Sequence, residues 1–214
     1  MENFYHEWVV SDLPWDAVTP VAPGDEHPEE LDQRLVDALN QRALNEFTEE
    51  QKAARGGSLA FLYLYMILAG NHNRWVFLSP PRVVTPHLPL IDLINDSPTF
   101  NFTTRATMPV GAGLGSSASY SVCAATASLL VHSRISLPQP PVPSSSDHIH
   151  VSHQGRRTLS IAIAEEVNRW AFVAEKILHG NPSGVDNSVA VYGGALCYTR
   201  SGFGKKSGME GIQE

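Results

Sequence analysis

The densest apolar block in the chain is LAFLYLYMILA, Leu59 to Ala69, where hydrophobic residues run on without the polar positions an exposed helix face needs. With Ser58 ahead of it as an N-cap and Gly70 behind it as a stop, the block predicts a buried helix. Helical character reaches back to residue 45, with an interruption or restart at Gly56-Gly57. Upstream, Leu31, Leu35, Ala38 and Leu39 fall at helical spacing. Two more apolar stripes lie downstream. Ala118, Val122, Ala125 and Leu129 predict a helix ending near Ser133, while Leu159, Ile163, Val167, Trp170, Ala174 and Ile177 predict a longer one closed by His179-Gly180. After it, NPSGVDNSVAVYGG suggests a turn and a short helix.

Alternation, the period of a half-buried strand, appears in Phe4 to Val10 and in Thr99 to Met108, and ALCYT also reads as a strand. Residues 71 to 98 carry many prolines and no sustained period, which predicts a loop or insertion. The segment 134 to 157 is rich in proline and serine and is expected to be a mobile loop, because it cannot bury enough apolar surface to order itself. The three histidines of DHIHVSH fall in that segment, which argues against a rigid metal site.

The 214 residues, 43% of them hydrophobic, can bury the core of one or two domains. A formal charge of −7 gives no basic surface for nucleic acid or an anionic membrane, so small molecules are the expected partners. LAFLYLYMILA is about half the ~20 residues of a membrane span. MENFYHEWVV is acidic and aromatic, unlike the start of a signal peptide. Cys123 and Cys197 lie in apolar contexts without metal-ligand spacing, which is simplest for a reduced, cytosolic protein.

Chemistry enters with MPVGAGLGSSA, residues 108 to 118, directly before a predicted helix. A helix start leaves about four N–H groups without partners and carries roughly half a positive charge, so it attracts phosphate. Gly111, Gly113 and Gly115 let the backbone turn through positive φ and approach an anion closely, and Ser116 and Ser117 add hydroxyls for phosphate or a hard cation. Neither the P-loop lysine nor the GxGxxG spacing is present. The competing reading is a tight strand-to-helix turn whose small residues serve packing. A second cluster, HGNPSGVDN at 179 to 187, joins a helix end to a constrained turn and a helix start bearing Asp186, while Glu175 lies one turn before that helix end.

Together these motifs resemble the GHMP kinase superfamily and, within it, the mevalonate kinase family. PVGAGLGSSAS (109 to 119) is similar to the superfamily's phosphate-binding motif, EKILHGNPSGVDNSVAVYGGAL (175 to 196) to the mevalonate kinases themselves, and AFLYLY (60 to 65) matches in style. The resemblance implies an α+β fold: part of the N-terminal domain, with a mixed β-sheet packed against helices, built from residues 1 to 70 and 99 to 208. It implies transfer of the ATP γ-phosphoryl group to the 5-hydroxyl of mevalonate, a step of isoprenoid and sterol synthesis. Pro109, Gly111, Ala112, Gly113, Leu114, Gly115, Ser116, Ser117 and Ala118 would then surround the ATP phosphates. Ser117 and Glu175 would hold Mg²⁺, Asp186 would act as base on the substrate hydroxyl, and Ser183 would sit beside the substrate. A cytoplasmic homodimer is implied for the full-length family. The family's lysine-bearing first strand and its C-terminal domain have no counterpart here, so the chain is expected to be an internal piece. Activity is expected of the longer architecture rather than of this stretch alone. The alternatives are another small-molecule kinase of the superfamily, such as phosphomevalonate or homoserine kinase, or a non-catalytic remnant that binds nucleotide.

Overall fold

A computed structural model describes residues 5–19, 30–70, 101–136 and 159–195, together with the backbone of 197–198 and 212–213. The expected insertion at 71 to 98 and the histidines of DHIHVSH lie outside the described residues.

The first helix, α1 (Gln33–Arg42), begins where the Asp32 side chain accepts from the Leu35 N–H at 3.3 Å, and it buries Leu35, Ala38 and Leu39. That is the stripe the sequence displays, less the partly exposed Leu31. The second, α2 (Lys52–Gly70), is introduced by a 3₁₀ turn, Glu49–Gln51, where Gln51 Oε1 accepts from the Thr48 N–H at 3.2 Å. It passes through Gly56-Gly57 without a restart, so Ser58 is not its cap. Both glycines lie against packed neighbours at the near edge of ordinary van der Waals distance. A Cβ on Gly56 would stand 3.4 Å from Leu178 Cδ2, and one on Gly57 would stand 3.4 Å from the Tyr120 ring. Tyr120 also donates its hydroxyl hydrogen to the Gly57 carbonyl at 2.6 Å. Ala60 and every residue from Leu62 to Leu68 are buried, as an almost wholly apolar helix requires.

Helix α3 (Ser116–Val131) and helix α4 (Ile161–His179) pack on each other and on α2, and these three form the core with α1 laid against α2. The face α3 buries is made of small residues: Ala118, Ser121, Ala124, Ala125 and Ser128, with Leu129 at its end. Val122, expected in the core stripe, is only partly buried. Ser160 caps α4 by accepting from the Ile163 N–H at 3.4 Å, and Gly180, at φ 74°, ends it. The last helix, α5 (Val185–Tyr192), packs against both α3 and α4.

A mixed β-sheet against helices is not what the described residues form. Residues 5–9 and 101–108 run without pairing, and the latter are exposed throughout. Alternation marks which face of a strand would be apolar, but a strand exists only where a neighbour takes up its N–H and C=O groups. Two residues of the ALCYT segment do pair: β1 (Cys197–Tyr198) lies antiparallel to β2 (Ile212–Gln213), with Cys197 opposite Gln213. The described fold is otherwise helical. Among the described residues no helix is long and apolar enough to cross a membrane.

Candidate active site

Gly111, Gly113 and Gly115 have φ of 77°, 71° and 73°, in the left-handed region. A Cβ on any of them would meet nothing within 4 Å. Packing therefore does not account for these glycines. Backbone conformation does, and it leaves the loop open to the surroundings. Pro109, Ala112 and Leu114 are exposed in the same loop, and Ser116 and Ser117 are half-buried where it becomes α3. Gly115 is the residue before the helix and offers no side chain to cap the first-turn N–H groups. Ala118, fully buried, seats this end of α3 on the core.

One turn before the end of α4 stands Glu175, 4% exposed. Its Oε1 accepts a hydrogen bond from Ser121 Oγ at 2.8 Å, and its Oε2 from Ser117 Oγ at 3.4 Å. His179, one turn further along α4, brings Nε2 to 3.8 Å from Oε2. The first turns of α3 and the last turn of α4 thus meet side by side, and a carboxylate and a hydroxyl separated by 58 positions in sequence become neighbours. Ser121 is a member of this cluster that sequence reading did not single out, because nothing in its local context distinguishes it from the other small residues of α3.

A five-residue corner, Gly180 to Gly184, turns the chain from α4 into α5 at that same end. Asp186 is exposed in the first turn of α5. Ser183 is also exposed, and its oxygen accepts from the Val185 N–H at 3.3 Å. Neither shares a hydrogen bond with Ser117 or Glu175 among the described residues; the corner carries them to that end of the bundle. Helix α5 is fixed from beneath by a buried polar set. Asn187 Nδ2 donates to Asn168 Oδ1 at 2.7 Å, Asn168 Nδ2 donates to Ser188 Oγ at 3.4 Å, and Ser188 Oγ donates to the Gly184 carbonyl at 2.7 Å. Tyr120, in the second turn of α3, has its phenol held well above the ordinary range by burial.

Among the described residues no three His, Cys, Asp or Glu side chains converge as a metal cage. A polar recess on α1, lined by Asp16, Gln33, Arg34, Asp37 and Arg42, contains none of the candidate site residues.

No family model matches the chain. Curated relatives do. The chain is 34% identical over 207 residues to the mevalonate kinase of Gibberella zeae, a match covering 94% of this chain and 34% of that protein. It is 33% identical over 201 residues to the mevalonate kinase of Candida albicans (92% of this chain, 38% of that protein), and 37% identical over 140 residues to the Homo sapiens mevalonate kinase (65% and 27%). The chain spans about a third of the length of the curated relatives it matches. These relatives agree over nearly all of the chain's residues, and what the chain is similar to is that third of a mevalonate kinase.

Proposed function

We propose that this chain carries the phosphate loop, the metal carboxylate and the substrate-side aspartate of an enzyme that transfers the γ-phosphoryl group of ATP to the 5-hydroxyl of mevalonate. The meeting of Ser117, two residues past the last glycine of the loop, with Glu175 on another helix, 3.4 Å apart, carries the reading. Loop N–H groups and the start of α3 bind the phosphates through backbone donors and the helix dipole. A nearly buried carboxylate beside a hydroxyl is a pair of hard oxygen donors. Such a pair fits Mg²⁺, which is commonly held by one or two carboxylates plus substrate phosphates rather than by an all-protein cage. When bound, Mg²⁺ supplies charge neutralisation on the phosphate oxygens.

Asp186 receives the proton of the attacking hydroxyl. An aspartate of reference pKa ~3.9 is a weak base for an alcohol near ~16. In a loose phosphoryl transfer the proton leaves late, so orientation of the hydroxyl counts for more than base strength. Ser183 lies on the same corner and is assigned to the substrate side. A homodimer and a cytoplasmic setting accompany this reading as expectations.

The test is transfer of radiolabel from γ-labelled ATP, with mevalonate, phosphomevalonate and homoserine offered in parallel. Label on mevalonate alone, lost in Asp186→Ala while ATP affinity stays within about twofold, is the expected result. Label on another acceptor would replace the substrate. ATP binding with no transfer to any acceptor would leave a nucleotide-binding module in place of the kinase.

A further inference from the structure

The two oxygens of the Glu175 carboxylate are held differently. Oε1 takes a full-strength hydrogen bond, 2.8 Å, from Ser121, whereas Oε2 has only the long 3.4 Å contact from Ser117 and the His179 nitrogen at 3.8 Å. Ser117 and Ser121 are four residues apart and so share one face of α3. Ser121 is 0% exposed and could not itself reach a ligand. A serine inside a helix usually bonds back to the carbonyl four residues earlier; this hydroxyl donates instead to a carboxylate 54 positions away on another helix.

We propose that Ser121 is a positioning residue for the metal site: by anchoring Oε1 it fixes the plane of the Glu175 carboxylate and turns Oε2, with Ser117, toward the cation. The inference rests on the assignment of Glu175 to Mg²⁺ made above. Partners of metal-binding carboxylates commonly govern affinity in this way, at about 10- to 100-fold each.

Mn²⁺ serves as the probe. Free Mn²⁺ is followed by electron paramagnetic resonance while it is titrated into the ATP-loaded chain, for the parent, Ser121→Ala, Glu175→Gln and the double variant. Ser121→Ala is expected to weaken Mn²⁺ binding about 10-fold, to leave ATP affinity in EDTA within about twofold, and to add nothing further in the Glu175→Gln background. Unchanged Mn²⁺ affinity in Ser121→Ala, losses that add in the double variant, or an equal loss of ATP affinity in EDTA would overturn the positioning role while leaving Glu175 at the metal. Undiminished Mn²⁺ binding by Glu175→Gln, or none by the parent, would instead overturn the metal assignment and this inference with it.

Discussion

Because a Cβ at Gly113 or Gly115 has free space around it, replacing either glycine isolates the cost of backbone conformation from that of packing. Gly115→Ala is expected to lower the unfolding free energy by about 1 kcal/mol, and Gly115→Asn by less, since Asn tolerates the left-handed region. Urea denaturation measures both, and an alanine without cost would show that the loop relaxes out of positive φ. A second residue-level outcome concerns Tyr120. Its folded pKa is raised by burial, so its contribution to stability is complete below the unfolded value of about 10 and is lost as pH rises above it. Urea midpoints from pH 9 to 11.5 should therefore decline, and Tyr120→Phe should flatten part of the decline. Gly111, Gly113, Gly115, Ser117 and Glu175 could all be picked out from the sequence, since a glycine run before a helix and a carboxylate near a helix end advertise themselves. Ser121 could not. Its meaning comes from a partner 54 positions away, and the apolar stripe draws attention to its neighbour Val122 instead.

At the scale of elements, the helices were legible from their apolar stripes, whereas their caps, Asp32 with Leu35 and Ser160 with Ile163, were not singled out, and Ser58, which was, lies inside α2. The passage of α2 through Gly56-Gly57 was not legible either. Glycine pairs usually signal a break, and only the packing of this stretch beside Leu178 and Tyr120 goes with its continuing as helix. The strands expected at 4 to 10 and 99 to 108 do not form over the described residues 5–9 and 101–108 for the same reason, because pairing is a property of two segments and periodicity describes one. The seam between α4 and α5 was also hidden, since Asn168 interrupts an otherwise apolar helix face and looks like a defect. Removing its partner tests the seam. Asn187→Ala removes the 2.7 Å hydrogen bond to the buried Asn168 Oδ1 and should cost about 1 to 3 kcal/mol in urea unfolding, whereas a change at the adjacent, exposed Asp186 should stay within about 0.5 kcal/mol.

For the molecule as a whole, a ligand that binds only the folded state raises stability by mass action, about 2.7 kcal/mol at a hundredfold excess over Kd. ATP with Mg²⁺ should raise the melting temperature more than ATP with EDTA, and Glu175→Gln should erase the difference between the two. Equal shifts in the parent would separate nucleotide binding from the metal. The likeness to the mevalonate kinases was legible because two motifs sit in order on the chain, whereas the architecture was not. The mixed sheet implied by the resemblance is reduced, among the described residues, to the pairing of Cys197–Tyr198 with Ile212–Gln213.

The anchoring of α5 has a bearing on how the aspartate is aimed. Successive helical residues project about 100° apart, and Asn187, the very next position after Asp186, is riveted into α4. The compass bearing of the Asp186 carboxylate is thus inherited from a buried amide that lies beneath it. Lengthening the Gly180 to Gly184 corner by a residue should deform the corner and spare the heading, whereas loosening the asparagine pair would let the whole short helix swivel and turn its carboxylate to another bearing.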